Sequence, residues 1–525
     1  MRIKFPLVSI VLIILASCNK DKQKESQNTQ TNIAVANYYN EPYRSQYHFT
    51  PEEKWMNDPN GLVYNDGVYH LFYQYYPEDI VWGPMHWGHA TSTDMVHWEH
   101  KPIALYPDQH GLIFSGSAVV DKNNTSGFGT PDNPPLVAIF TYHLMEGEKA
   151  GRNDFQTQGI AYSLDNGETW TKYEANPVIG NQGIKDFRDP KVFWDSNTKQ
   201  WVMALVAGDH VKFYKSPNLK NWEYMSEFGQ DFGAHGGVWE CPDLFPLDHP
   251  DPEHYAQKWV LMVSINPGGP NGGSATQYFI GDWDGTTFTP DDNQTRWLEY
   301  GADNYAGVTY NNEPNNERLF IGWMSNWNYA RDTPTQVWRS AMTLPRTLAL
   351  KQYKEGLQLT NYPYDQVDSL VNDKEPIYIT ENPGQVYYDG IELNQHRIQF
   401  KAAATNQMFF ILSNDNREEI ELGFFPENNT LTFDRTQSGQ VDFEPSFGAE
   451  KHSQPYFPEG EEVTVSMYID ASSIEVFVDW GRYVFTQQIF PNIPFDEVQL
   501  VGSQSDGIRW FRVDHIPSVW SKLNN

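Results

Sequence analysis

Trp55-Met56-Asn57-Asp58-Pro59-Asn60-Gly61 leads into Leu62-Val63-Tyr64, an Asn65-Asp66-Gly67 turn and an apolar return from Val68 to Tyr75. Asn-Asp-Gly between alternating apolar residues is a strong hairpin signal. The layout recurs. Phe187-Arg188-Asp189-Pro190 opens a hairpin that returns as Trp201 to Ala207, and Trp239-Glu240-Cys241-Pro242-Asp243 opens one that returns as Trp259 to Ile265. Two more units lack the acid: Ser115 to Val120 returning as Leu136 to Tyr142, and Ala306 to Tyr310 returning as Arg318 to Trp323. A carboxylate before a proline at a strand start is a poor way to build a core. Three at matching points of a repeated unit predict three carboxylates converging on one site.

A second element recurs between these hairpins. Ser92-Thr93-Asp94-Met95-Val96-His97-Trp98 resembles Ser163 to Trp170 and Ser216 to Trp222, and Gly281-Asp282-Trp283-Asp284-Gly285 is a looser copy. The Asp or Asn can cap a tight turn, and the Trp can pack on the next strand. Each unit therefore reads as an inner hairpin followed by an outer turn. Four antiparallel strands repeated radially make a β-propeller, and five units imply five blades over residues 45–350. A two-sheet sandwich with accidental internal similarity is the competing fold. Residues 351–375 read as a polar linker. Beyond it, runs such as His396 to Phe400, Glu419 to Leu422, Val463 to Tyr468 and Ile474 to Val478 alternate with period two. That is the signature of a β-sandwich over residues 376–525. The fold class is all-β.

Bulk composition agrees. At 525 residues the chain exceeds one ordinary core, so two domains are expected. Aromatics make up 15% and charged residues only 20%, with 38 Gly and 34 Pro, which favours strands and turns. A formal charge of −31 argues against a nucleic-acid partner, because phosphate binding needs clustered Lys and Arg. It permits a neutral ligand and is equally a generic solubility feature.

In a propeller the first strand of each blade lines the central channel. Asp58, Asp189 and Glu240 would then ring one mouth. Crowded carboxylates raise one another's pKa, which favours a protonated acid beside an ionised carboxylate. That division suits glycoside hydrolysis. Aromatic residues that could surround the mouth are Trp55, Trp82, Trp87, Phe114, Trp239, Trp323 and Trp327, with Asn57, Gln74, Ser115 and Arg188 as polar partners. For any single Trp, core packing is the competing role. His86, His89, His97 and His100 cluster without metal-ligand spacing, and neither a metal nor a cofactor is expected.

Together these motifs resemble glycoside hydrolase family 32, which holds invertases, inulinases and levanases. Trp82-Gly83-Pro84, Trp87-Gly88-His89-Ala90, Phe114-Ser115-Gly116-Ser117 and Met342-Thr343-Leu344-Pro345-Arg346 fall in the family's order, and Asp470 to Phe477 is similar to a segment of its sandwich. The resemblance implies retaining hydrolysis of β-fructofuranosides in levan, inulin or sucrose. It implies Asp58 as nucleophile, Glu240 as acid and base, and Asp189 as stabiliser of the transition state. Asn57, Gln74, Trp82, Phe114, Ser115, Arg188, Cys241, Trp327 and, less directly, Trp323 would line the fructose pocket. Exo-action, endo-action and fructosyl transfer share these motifs. Trp82 to Trp87 reads as a wall that favours exo-action. Outside enzymes, a carbohydrate-binding lipoprotein that catalyses nothing would also carry aromatics, but it needs no nucleophile.

Residues 1–18 read as a targeting segment. Arg2 and Lys4 precede an apolar stretch from Phe5 to Ala16, too short to span a bilayer comfortably. Leu15-Ala16-Ser17-Cys18 resembles a bacterial lipoprotein cleavage box, which implies a lipid on Cys18, a flexible tether over 19–44 and an envelope location. Membrane contact is then expected through that lipid only. Cys241 is left alone in the folded part, so no internal disulfide is expected.

Overall fold

The computed structural model describes residues 39–253, 256–371, 374–502 and 507–520. The expected targeting segment, with Cys18, lies outside them. Five antiparallel sheets follow one another along the first part of the chain, as the five repeats predict. The first blade is Lys54–Asn65, Val68–Tyr76, His86–Ser92 and Glu99–Leu105. The second is Leu112–Val120, Leu136–His143, Gln156–Ser163 and Thr171–Lys172, and the third is Phe187–Asp195, Gln200–Ala207, Val211–Ser216 and Glu223–Phe228. The fourth runs Val238–Asp248, Gln257–Asn266, Ala275–Trp283 and Phe288–Pro290. The fifth is Tyr305–Thr309, Leu319–Met324, Arg346–Tyr353 and Gly356–Pro363.

The recurring outer turns are capped as their sequence predicts. Asp94 accepts the amides of Val96 and His97, Asn218 those of Lys220 and Asn221, and Asp284 those of Thr286 and Thr287. The ring closes where Trp338–Arg339 lies parallel to Lys54 and Trp55.

Two expected boundaries move. Residues 351–363 are not linker: Arg346–Tyr353 and Gly356–Pro363 form the outer hairpin of the fifth blade, paired from Arg346↔Pro363 to Tyr353↔Gly356. The run reads as polar because it includes the hairpin tip, where Lys351 and Gln352 are exposed and Gly356, Leu357 and Gln358 are only half-buried. Residues 39–44, expected as tether, are packed. Tyr39 stacks on Trp520 at 4.1 Å, and the buried Arg44 guanidinium donates to Thr50, Pro51 and Glu52.

The second part is a sandwich of two six-stranded sheets. Ile398, Phe400, Val465, Met467 and Val476 of one sheet share a core with Phe410, Leu412, Leu422, Phe433 and Leu500 of the other. Both apolar and polar side chains carry the join to the propeller: Phe477, Val484 and Trp520 pack into the apolar cluster of the first and fifth blades, and charged groups are buried beside them. Buried Arg346 of the fifth blade donates to Glu299 at 2.7 Å and also pairs with Glu475 of the sandwich. The other oxygen of Glu475 meets His48 Nε2 at 2.9 Å, and His48 Nδ1 meets Asp470 at 2.8 Å. A second clamp joins Arg435 of the sandwich to Asp303 and Tyr329.

His48 is desolvated, which alone would discharge it, but its two carboxylate partners win and raise its pKa to about 9. Its folded pKa exceeds the unfolded one, so its stabilising contribution is complete below about pH 6.5 and fades as pH rises through 9. We predict that Glu475→Gln, which leaves Arg346 and His48 short of a counter-charge, costs about 3–5 kcal/mol and lowers the melting midpoint clearly at pH 6. A midpoint within a degree of the parent would contradict this role.

Candidate active site

Every inner strand breaks register at one level. Pairing jumps between Met56 and Pro59, Ile113 and Gly116, Glu240 and Asp243, and Tyr305 and Val308, and in the third blade it jumps opposite Asp189-Pro190. A bulge bends a strand and re-aims the side chains around it. Proline suits the bulge because it has no amide to donate to the ladder. Asp189, Cys241 and Ala306 reach positive φ there, at 64°, 47° and 55°. Gly116 takes its place because a Cβ would sit 2.0 Å from the Ile139 carbonyl oxygen.

Aligned on this level, the residues before Pro59, Pro190 and Pro242 are Asp58, Asp189 and Cys241. The three acids are therefore not strictly equivalent, as their spacing had suggested. Glu240 sits one position earlier, level with Asn57, Arg188 and Tyr305, and its extra methylene spans part of that offset. Nor do the acids precede their strands; they lie inside them.

All three border a cavity of about 300 Å³, also lined by Asn57, Gln74, Trp82, Phe114, Ser115, Arg188 and Trp327. Asp58 is held from both sides: Ser115 Oγ donates to Oδ2 at 2.6 Å and Asn57 Nδ2 to Oδ1 at 2.9 Å. Asn57 is fixed in turn by Trp55 Nε1 at 2.8 Å. Burial and the nearby Glu240 raise the Asp58 pKa to about 6, against the pull of Ser115 and Asn57. Burial likewise raises Asp189, with Arg188 opposing and Glu240 and Asp58 adding to the rise. Asp189 Oδ2 accepts the Cys241 amide at 3.0 Å. The Cys241 thiol sits between the aspartates, 3.8 Å from Asp58 Oδ2 and 3.6 Å from Asp189 Oδ2. Burial and three carboxylates push its pKa well up, so it stays a neutral weak donor.

Glu240 is gripped at both oxygens. Arg188 donates to Oε1 from Nε at 3.1 Å and Nη2 at 2.9 Å, and Tyr305 Oη donates to Oε2. The far side of Arg188 is held by Asp186 at 2.7 Å. The site thus separates two kinds of acid: Asp58 fixed by neutral donors, and Glu240 fixed by a cation and a phenol.

Three of the seven expected aromatics line the cavity: Trp82, Phe114 and Trp327. Trp55, Trp87, Trp239 and Trp323 are fully buried beneath it. Trp323 is therefore not a wall residue. It backs Trp327, with ring centres 4.9 Å apart, and Arg331 covers Trp327 at 5.2 Å. Gln74 borders the cavity while donating to Asn60 at 2.7 Å. Among the described residues no three His, Cys, Asp or Glu side chains group as metal ligands; His89 instead stacks on Phe72 at 4.2 Å.

Sequence reading missed Tyr305, Asp186, His143, Glu148 and Arg331 at this site. Tyr305 was within reach, since the fifth unit aligns as Tyr305-Ala306-Gly307 with Glu240-Cys241-Pro242. Asp186 was too, because strand alternation puts it on the face of Arg188. His143 and Glu148 pair at 3.1 Å; His143 ends the strand Leu136–His143 and Glu148 lies in the short helix Met145–Lys149, which carries no repeat signal.

Known proteins are similar to this chain in sequence and fold. Residues 48–363 match the model of the glycosyl hydrolases family 32 N-terminal domain, and residues 372–517 match that of the family 32 C-terminal domain. A levanase of Bacillus subtilis is 48% identical over 499 residues, covering 93% of this chain and 72% of that protein. An extracellular exo-inulinase of Aspergillus niger is 41% identical, covering 93% of this chain and 97% of its own. The crystal structure of an exo-inulinase from Aspergillus awamori superposes with a TM-score of 0.83 at 39% identity, over 92% of this chain and 100% of that one. The five-bladed propeller, the sandwich and the matches that run through both show that this chain belongs to glycoside hydrolase family 32.

Proposed function

We propose that this enzyme cleaves β-fructofuranosidic bonds in fructans and sucrose with retention of configuration. One observation carries the reading: Asp58 and Glu240 line one small cavity, where one carboxyl can attack a sugar carbon while the other exchanges a proton with the departing oxygen. Relatives named levanase, exo-inulinase and invertase support the substrate class.

In the first step an Asp58 oxygen attacks C2 of the fructosyl ring. The C2–O bond breaks, and the departing oxygen takes a proton from Glu240. In the second step water gives its proton to Glu240 and displaces the Asp58 ester, freeing fructose. Asp189 accepts hydrogen bonds from ring hydroxyls as positive charge grows at C2. Ser115 and Asn57 aim the nucleophile, while Arg188 and Tyr305 aim the acid. Trp82, Phe114 and Trp327 wall the ring. Cavity size favours exo-action on a chain-terminal fructose. Endo-cleavage and fructosyl transfer remain the alternatives within this chemistry. A non-catalytic binder does not account for two differently held carboxylates. We further propose that Cys18 carries a lipid that fixes the enzyme to the bacterial envelope, on the strength of Leu15-Ala16-Ser17-Cys18 after an apolar stretch.

Asp58→Asn and Glu240→Gln are each expected to cut fructose release from levan, inulin and sucrose by about a thousandfold or more with the melting midpoint kept. Near-parent turnover in either rejects the assignment. Fructose as the sole early product supports exo-action, and a ladder of oligosaccharides refutes it. The acid limb of kcat/KM should follow Asp58, ionised above about pH 6 and inactive as pH falls below it. Ser115→Ala removes a donor that favours the ionised form, so that limb should move about one pH unit upward. A limb that stays put, or moves down, contradicts this. Cys18→Ser should shift the enzyme from the membrane to the soluble fraction, and unchanged partition defeats the anchor.

A further inference from the structure

The inner strands carry the proposed active site near their first residues. Their last residues enclose something else, a cavity of about 560 Å³ at the opposite mouth of the propeller axis. Asp189 and Asp195 belong to the same strand, and six residues of strand span about 20 Å. A floor of hydrogen bonds separates the two spaces. Asn311 Nδ2 donates to the Ala118 and Val192 carbonyls, Thr309 donates to Asp243, and Lys191 Nζ reaches the Thr309 carbonyl.

This second cavity differs in charge from the rest of the molecule. The chain carries −31 overall, yet Lys122, Lys191 and Arg318 border the cavity against two carboxylates, Asp195 and Asp243. Lys191 and Asp243 cancel as a pair at 3.0 Å. Asp195 spends Oδ1 on the amides of its own turn, at Asn197 and Thr198, while its buried Oδ2 has no partner. Lys122 stands exposed on the rim.

Arg318 is the unusual member. Its Nε is buried and has no partner, and among the described residues its guanidinium makes neither a hydrogen bond nor an ion pair. The Phe245 ring lies 5.0 Å from its guanidinium carbon, and Asp243, followed by Glu313, is the carboxylate whose charge reaches it most. The nearby Glu313 is committed to the amides of Asn315 and Glu317. Arg318 is half-buried, with Asp243 as its main opposing charge, and its planar fork fits an oxyanion at two points. Asp243 Oδ1, also buried and partnerless, offers an acceptor across the same cavity. Phe193 and Trp259, with ring centres 5.7 Å apart, supply an apolar wall.

We propose that this opposite mouth is a second ligand site, which takes a small hydroxylated oxyanion such as a sugar phosphate or a hydroxy acid. The anionic head meets Arg318 and Lys122, a hydroxyl donates to Asp243, and the carbon body lies on Phe193 and Trp259. The site is independent of fructoside cleavage, because no residue is shared with the other mouth.

Isothermal titration of the full-length enzyme at constant ionic strength tests this with citrate, fructose 6-phosphate and inorganic phosphate as probes. One-to-one saturable binding of citrate or fructose 6-phosphate is expected, unchanged when free fructose saturates the other mouth. Inorganic phosphate should bind more weakly, and the stronger of the two organic probes names the subclass. Arg318→Gln should weaken binding by about tenfold or more while sucrose hydrolysis continues. No saturable binding of either organic probe, displacement by fructose, or equal affinity in R318Q overturns the proposal. Should R318Q fail to fold, Lys122→Glu on the exposed rim takes its place: a severalfold loss supports the site and an unaltered affinity refutes it.

Discussion

A bulge at one level of all five inner strands is the constraint on which the rest depends. A regular strand alternates its side chains and would turn a polar residue at this level toward a neighbouring blade as readily as toward the axis. The bulge breaks that alternation and brings consecutive residues, such as Asn57-Asp58 and Arg188-Asp189, to one cavity. Backbone strain at Asp189, Cys241 and Ala306 is part of the arrangement, at about 1–3 kcal/mol for each such residue. Buried Trp55, Trp87, Trp239 and Trp323 beneath the level hold it rigid.

Electrostatics then divides the labour. Acids this crowded cannot all be charged cheaply in a desolvated space. Asp58 has two neutral donors, Glu240 has a cation and a phenol, and the neutral Cys241 thiol fills the gap between the aspartates. Among its described residues, the sandwich has none that lines this cavity. Its part is the buried clamp of Arg346, Glu475, His48 and Asp470, which ties the fifth blade and the entering chain to one body. A shift of the sandwich that broke these contacts would leave buried charges unpaired, which is costly.

Much of this was legible in the chain. The repeat of hairpins gave the blade number, and Asp58 and Asp189 stood out because an acid before proline serves no core. Glu240 was found for a slightly wrong reason, since Cys241 is the true counterpart of the aspartates. What stayed hidden has physical causes. Trp323 and Trp327 differ only in which side of one turn they occupy, and nothing in composition separates wall from backing. Tyr305 escaped because the fifth unit was read as starting at Ala306, one residue late. Residues 351–363 hid a hairpin because its tip is exposed and polar and its alternation is short, Leu357-Gln358-Leu359-Thr360. Arg318 could not have been singled out at all, because its lack of a partner is a property of the folded surroundings.

The propeller axis emerges with two chemically distinct ends, an acidic cavity and a cationic one, separated by a hydrogen-bonded floor. The central claim is that the bulge level brings Asp58, Asp189 and Glu240 around one fructosyl ring. A crystal structure of E240Q soaked with a short fructo-oligosaccharide tests it most directly. The account predicts the terminal fructose between Trp82 and Trp327, its C2 about 3–3.5 Å from an Asp58 oxygen and its hydroxyls on Asp189. A sugar ordered elsewhere, or with C2 turned away from Asp58, would contradict it.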